Sequence, residues 1–182
     1  MKSLAGKLLV AVPELFSPPF TRSVILLFQH DNEGASGVIL NQPTSITVGA
    51  LWDEISEAEC DCDHPVNCGG PVEGPLLAIH QMPKISERVV VDDVYLSMQR
   101  DSLHCLVMQQ DIPFRIFSGY SGWGPNQLEC EIEQGSWLIL PADASHVFGE
   151  SDKLWRRVCE HVGHDVLKPH LGKLRPVDPS LN

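Results

Sequence analysis

The chain has no Lys or Arg between Arg22 and Lys84, although this interval contains nine acidic residues. Over the whole sequence, 24 Asp and Glu residues face 13 Lys and Arg, which gives a formal net charge of −11. Proteins that bind a phosphate backbone usually present a basic face. The acidic body therefore argues against direct nucleic-acid binding. Only the last 32 residues are locally basic, and a charge run of this kind is usually a solvated face.

Long apolar runs are also lacking. No stretch reaches the ~18 consecutive apolar residues that suggest a membrane span. The apolar run at the N-terminus is interrupted by Lys7 and ended by Pro13, and no small-residue cleavage site follows, so a signal peptide is not expected. Six cysteines in 182 residues do not make a dense disulfide framework. We therefore predict a cytoplasmic protein with reduced thiols and no membrane association.

The sequence does contain many short apolar segments, separated by turn residues. Segments of this type predict strands over residues 7–12, 23–30, 38–41, 76–80, 88–96, 114–119 and 136–140. Helical spacing predicts helices over residues 47–57, with Thr47 as the N-cap, over 101–109 and from residue 151. Strands outnumber helices, so a mainly antiparallel sheet with peripheral helices fits best. With no long linker, residues 1–182 are predicted to form one domain, in which residues 168–182 are an extended tail.

The most unusual stretch is SGYSGWGPNQLECEIEQGSW, residues 118–137. Its glycine spacing fits neither the G-x-S-x-G turn of a hydrolase nucleophile nor the G-x-G-x-x-G of a dinucleotide site. The interpretation that remains is a strand that turns through the glycines into a short helix. The stretch is either a packing corner filled by Trp123 and Trp137, which is the favoured interpretation, or a ligand-facing loop.

A second candidate is the acidic loop in which Cys60, Cys62, His64 and Cys68 fall within nine residues. These are ligand types that Zn²⁺ accepts. Structural zinc sites usually join two separated ligand pairs, however, and the neighbouring acids would raise the pKa of the thiols. A zinc site and a Cys62–Cys68 redox pair are therefore alternatives to the favoured interpretation, an exposed variable loop without a cofactor.

Residues with catalytic potential are few. His80 follows a predicted strand, where a histidine can act as a base, although it is more often a hydrogen-bonded structural residue. Paired carboxylates, a P-loop and a nucleophile–base signature do not stand out. The sequence therefore predicts no catalytic residue and favours a protein that is not an enzyme.

Three segments together resemble the bacterial AlgH/YqgE family. They are SVILLFQHDNEGASGVILNQP (23–43), CGGPVEGPLLAIH (68–80) and GYSGWGPNQLECEIEQGSWL (119–138). Their order matches that family's G-A-x-G-x-x-x-N, G-G-P-V and G-Y-x-G-W-x-x-x-Q-L-x-x-E-I marks across nearly the whole chain. The resemblance implies an α+β fold with a bifurcated, mostly antiparallel sheet bent into a pseudo-barrel and flanked by helices. It implies no known reaction, because the family is poorly characterised and often labelled a transcriptional regulator.

If these segments converge in space, they form one ligand-binding surface. Its predicted backbone-exposing glycines are Gly34, Gly37, Gly69 and Gly70. Tyr120 and Trp123 are predicted to form a stacking wall, and Asn41, Gln127 and Glu131 are predicted to be the polar anchors. The favoured function is a non-catalytic regulatory or binding module with an unknown protein or small-molecule partner, acting indirectly in gene regulation. The alternatives are a hydrolase-like small-molecule enzyme, in which His80 or Glu131 would titrate abnormally, and a metal or thiol sensor that uses the 60–68 loop.

Overall fold

The computed structural model describes residues 2–56, 60–109 and 111–161, so the predicted tail at 168–182 lies outside the described residues. The strands are β1 (Lys7–Ala11), β2 (Val24–Asp31), β3 (Gly34–Ile39), β4 (Pro43–Thr47), β5 (Pro65–Cys68), β6 (Leu77–His80), β7 (Arg88–Val91), β8 (Val94–Ser97), β9 (Phe114–Ser118), β10 (Ser121–Trp123) and β11 (Trp137–Pro141). The helices are α1 (Val48–Ile55), α2 (Arg100–Met108), α3 (Gln127–Glu133), α4 (Ala144–Phe148) and α5 (residues 154–161).

The strands form two sheets. Sheet 1 has the order β10-β3-β2-β1-β11 and is antiparallel throughout. Sheet 2 has the order β4-β5-β9-β6-β8-β7, in which β5 and β9 run parallel and the other pairs are antiparallel. The predicted α+β class with mostly antiparallel strands is confirmed. The predicted closure into a pseudo-barrel is wrong, because the outer strands of the two sheets are not paired with one another.

Three apolar layers hold the sheets and helices together. The first lies between the two sheets and includes Leu8, Leu26 and Phe117. The second joins sheet 2 to α1 and α2, and the third joins sheet 1 to α3. Sheet 1 is thus covered on both faces, which explains why β1 and β2 read as continuous apolar runs without alternation.

Most predicted elements are present, with local differences. Thr47 caps α1 as predicted, since its Oγ1 accepts a hydrogen bond from the Ala50 N–H at 3.2 Å. The single strand predicted over 88–96 is wrong, because Asp92 and Asp93 form a hairpin turn between β7 and β8. Asp93 takes a φ of 59°, which aspartate tolerates better than most residues. None of the helices in the described ranges is long and apolar enough to cross a membrane.

Candidate functional site

The two sheets meet where the chain leaves β5 and β9. The Gly69 N–H donates to the Ser118 carbonyl of sheet 2 at 2.9 Å, while the Gly69 carbonyl accepts from the Ile39 N–H of sheet 1 at 3.0 Å. Val72 and Tyr120 then exchange two backbone hydrogen bonds, each 3.0 Å long. The continuation of β5 therefore bonds to both sheets, and we call this region the sheet junction (residues 69–74 and 118–123).

Glycine is required at the sheet junction because backbone lies directly against backbone. A Cβ atom on Gly69 would lie 2.2 Å from the Gly119 carbonyl oxygen, and one on Gly70 would lie 2.4 Å from the Tyr120 carbonyl carbon. Gly70 also has a φ of 151°, which side-chain-bearing residues rarely adopt. Gly34 is also required, because a Cβ atom on it would lie 2.1 Å from the Trp123 carbonyl oxygen.

A cleft of about 510 Å³ opens at the sheet junction. Its walls are mostly backbone and small side chains, from Thr44, Cys68, Gly70, Pro71, Val72, Glu73, Gly74, Ser118 and Gly119. The cleft lies at the carboxyl ends of the parallel pair β5 and β9, and the carboxyl ends of parallel strands are where open α/β sheets bind ligands. We refer to it as the junction cleft.

The structure brings only part of the predicted ligand-binding surface to this cleft. Gly70 lines it, and Tyr120 packs beside it, 3.1 Å from a Cβ position on Gly74. Ser118, Thr44 and Gly119 were not predicted to contribute. Ser118 and Gly119 could have been found from their position at the end of the strand predicted over 114–119, whereas nothing in the sequence places Thr44 next to them.

One ring of the predicted stacking wall, Trp123, and two of the anchors, Gln127 and Glu131, belong to the packing corner instead. Trp123 is only 6% exposed and Trp137 only 4%, so neither ring is free to stack on a ligand. The Glu131 carboxylate accepts hydrogen bonds from both indole N–H groups, at 2.9 and 2.8 Å, and from the Gln127 amide at 3.0 Å. A carboxylate shared by two buried indoles explains why Trp123, Glu131 and Trp137 occur together in this stretch.

Asn41 and Gly37 are also structural. The Asn41 Oδ1 accepts from the Val24 N–H and its Nδ2 donates to the Arg22 carbonyl, both at 2.8 Å, which fixes the start of β2. Gly37 faces Ser121 across the β3–β10 pair, and a Cβ atom there would lie 2.7 Å from the Leu26 carbonyl oxygen. Neither residue presents a free polar group to the junction cleft.

His80 forms a hydrogen-bonded pair with Ser97, but the proton points the wrong way for nucleophile activation. The His80 Nδ1 accepts from the Met82 N–H at 3.1 Å, so the ring proton is on Nε2 and is donated to the Ser97 Oγ at 2.9 Å. The Ser97 hydroxyl in turn donates to the Ile85 carbonyl at 2.7 Å. Burial lowers the pKa of His80, and the ring is fully buried, so the pair is a neutral structural one.

The three cysteines and the one histidine of the predicted zinc set lie in different surroundings. Cys62 is buried in the layer between sheet 2 and the helices, and the Cys68 Sγ lies 3.9 Å from the Gly70 carbonyl in the junction cleft. The His64 ring packs against Phe114. Burial raises the pKa of the Cys60 and Cys62 thiols, which disfavours the thiolate that a metal needs. Across the described residues, no group of three His, Cys, Asp or Glu side chains is placed to hold a metal ion.

A buried histidine–carboxylate pair was not predicted from the sequence. The His30 Nδ1 accepts from the Leu4 N–H at 2.9 Å, so its Nε2 carries the proton and donates to the Glu129 Oε1 at 2.7 Å. The pair ties the N-terminal segment and β2 to α3. Partial burial acts to raise the pKa of Glu129, but hydrogen bonds from its own backbone N–H and from the His30 ring outweigh it and hold this pKa below its ordinary value.

We expect Glu129→Gln to lower the free energy of unfolding by about 1–2 kcal/mol at pH 7, since a charge-assisted hydrogen bond is lost. Because the folded-state pKa is lowered, the contribution is present above the ordinary value of 4.5 and disappears as the pH falls through the lowered pKa. Urea unfolding at pH 7 measures the loss of stability, and urea unfolding at about pH 3 measures whether that loss disappears in acid. Glu133→Gln on the exposed side of α3 is the control, and a difference that persists at the acidic pH would contradict the assignment.

Comparison with known proteins agrees with the overall fold. A model of the AlgH-like family matches residues 8–167. A UPF0301 protein of Myxococcus xanthus is 38% identical over 178 residues, covering 95% of this chain and 98% of that protein, and one of Streptomyces coelicolor is 36% identical, covering 100% and 97%. The solution structure of the AlgH protein from Pseudomonas aeruginosa superposes with a TM-score of 0.75 at 23% identity, covering 97% of each chain. The resemblance predicted from the three segments is therefore confirmed, and the protein belongs to the AlgH-like family.

Proposed function

We propose that this protein is a non-catalytic binding module that holds a small polar molecule in the junction cleft. The observation that supports the proposal is the construction of that cleft. Gly69, Gly70 and Gly119 allow two chain segments to lie directly against each other, and the cleft walls carry small polar groups such as Thr44 and Ser118. Concave sites with a few polar groups on an apolar wall are typical of ligand binding.

The contacts of the candidate reactive groups favour binding over catalysis. A hydrolase-like enzyme would use a base such as His80 or Glu131, but both side chains make structural hydrogen bonds inside the protein. The nearest thiol to the junction cleft, on Cys68, has no histidine among its hydrogen-bond partners in the described structure. An adjacent general base is one of the ways in which a nucleophile is activated at neutral pH.

The charge of the protein bears on how it would act in the cell. With a net charge of −11, the chain repels the phosphate backbone, so we propose that any effect on gene regulation is indirect and occurs in the cytoplasm. A metabolite or partner that occupies the junction cleft would be the signal. The absence of a nucleic-acid gel shift at every salt concentration would be consistent with this indirect role.

The proposal predicts that some small polar molecules perturb the amides of the junction cleft selectively. Amide ¹H–¹⁵N spectra recorded with a library of amino acids, nucleotides, sugars and organic acids should show saturable shifts at Gly70, Gly74 and Gly119. Ser118→Trp should abolish these shifts by filling the cleft, because Ser118 is an exposed lining residue.

Ser45→Trp provides the matched control, since Ser45 is exposed on β4 and does not line the cleft. It should leave the shifts unchanged. A library that moves no amide of the junction cleft would count against the proposal. So would chemical turnover of any library member that Ser118→Trp abolishes while the protein stays folded.

A further inference from the structure

Arg115, the second residue of β9, donates its hydrogen bonds only to neutral groups. Its Nη1 donates to the Val147 carbonyl at 3.0 Å, and its Nη2 donates to the Leu40 carbonyl at 2.6 Å and to the Asn67 Oδ1. The guanidinium also lies over the Phe117 ring, 5.4 Å from its centroid. The remaining two N–H groups, on Nη1 and Nε, have no acceptor in the part of the chain that the structure describes.

Arg115 forms no ion pair with a carboxylate within the described ranges. The ion pairs found there are His30–Glu129, His146–Asp143 and Lys153–Glu150, and none includes Arg115. Burial lowers the pKa of Arg115 to about 10, so the side chain is still a cation at neutral pH. Arginine is rarely buried without an ionic partner, because desolvation of the charge is costly. Contact with an anionic group would offset part of that cost.

Arg115 also opens onto a second cleft of about 410 Å³, which we call the arginine cleft. Its lining consists of His64, Pro65, Asn67, Phe114, Arg115 and the loop 148–152. These residues lie at the starts of the parallel strands β5 and β9, whereas the junction cleft lies at their ends. The two clefts are therefore separate sites on the same strand pair.

The charges around the arginine cleft are of two signs. Arg115 supplies the cation, while Glu150 and Asp152 contribute carboxylates from the exposed loop. Glu150 is already paired with Lys153 at 3.0 Å, and Asp152 accepts a long hydrogen bond of 3.4 Å from the Ser151 hydroxyl. A multiply charged anion such as phosphate would be repelled by these acids. A ligand with a carboxylate and an ammonium group matches both signs.

We propose that the arginine cleft binds a free amino acid, with its carboxylate on the Arg115 guanidinium and its ammonium group toward Asp152. This site is independent of the junction cleft and of the function proposed for it. A small ligand held by a few charged contacts binds with a dissociation constant on the order of 1 mM.

The test uses the full-length protein and the NMR signal of the Arg115 Nε–Hε group, titrated in parallel with L-alanine, acetate, methylammonium and phosphate. L-Alanine should shift this signal saturably and bind about tenfold more tightly than acetate, and phosphate should give no saturable shift. Asp152→Asn should remove the preference for L-alanine over acetate, and Ser151→Trp should block both ligands without touching the three hydrogen bonds of Arg115.

Three results would overturn the assignment. They are an Arg115 signal that none of the four probes moves, equal affinity for acetate and L-alanine in the unmodified protein, and tighter binding of phosphate than of L-alanine. A response to L-alanine that survives Ser151→Trp would place the binding site elsewhere. Because Ser118→Trp lies in the other cleft, it should leave the L-alanine titration unchanged, so failure of one proposal is distinguishable from failure of the other.

Discussion

Replacing Glu131 with Ala should destabilise the protein by about 3 kcal/mol or more. The Glu131 Oε2 accepts hydrogen bonds from both Trp123 and Trp137, and these rings are 6% and 4% exposed. The substitution leaves two indole N–H groups in a buried layer without an acceptor. Each unsatisfied buried donor costs about 1–3 kcal/mol, and a shared acceptor makes the losses cooperative. Urea unfolding followed by circular dichroism gives the free energy directly.

Two further substitutions separate the hydrogen bonds from other effects. Glu131→Gln keeps an oxygen that can accept from both indoles, so its cost should be about 1 kcal/mol. Glu133→Ala removes an exposed carboxylate from the same helix and should change stability by less than about 0.5 kcal/mol. Equal destabilisation by Glu131→Ala and Glu133→Ala would mean that the carboxylate does not hold the two tryptophans.

The structure around Glu131 could be predicted from the sequence only in part. Glycines and tryptophans in residues 118–137 predict a packing corner, and Trp123, Trp137 and Glu131 do form one. The sequence does not reveal that a polar anchor is directed inward, because an exposed and a buried glutamate look alike until partners from other segments are known. The same limit applies to Asn41, whose side chain fixes residues 22–24.

The strands predicted correctly are those whose sequence is dominated by apolar residues. β1, β2 and β9 pack on both faces, and the apolar residues that dominate them are visible without a structure. β5 and β10 are short and contain Pro65, Asn67, Cys68, Ser121 and Gly122, residues that are common in loops. They are strands because neighbouring segments pair with them, and such long-range pairing has no local signal. Since β5 and β10 build the sheet junction, the junction cleft could not be predicted from the sequence.

The physical role of the junction glycines can be tested by adding one methyl group. Gly70→Ala should destabilise the protein by about 3 kcal/mol or more, because the new Cβ would lie 2.4 Å from the backbone of Tyr120 and the φ of 151° disfavours any side chain. Backbone cannot rotate away as a flexible side chain does, so the overlap must separate residues 69–72 from residues 118–121.

Gly135→Ala distinguishes steric overlap from backbone strain. Gly135 has a positive φ of 78° but no atom within 4 Å of its Cβ position, so alanine there should cost only about 1–2 kcal/mol from conformation alone. The difference between the two variants, about 2 kcal/mol, combines the close backbone contact at the sheet junction with the greater strain of a φ of 151° over one of 78°. If Gly70→Ala were no more destabilising than Gly135→Ala, the two segments would not lie in contact. The junction cleft would then lack the rigid backbone wall on which its proposed ligand binding depends.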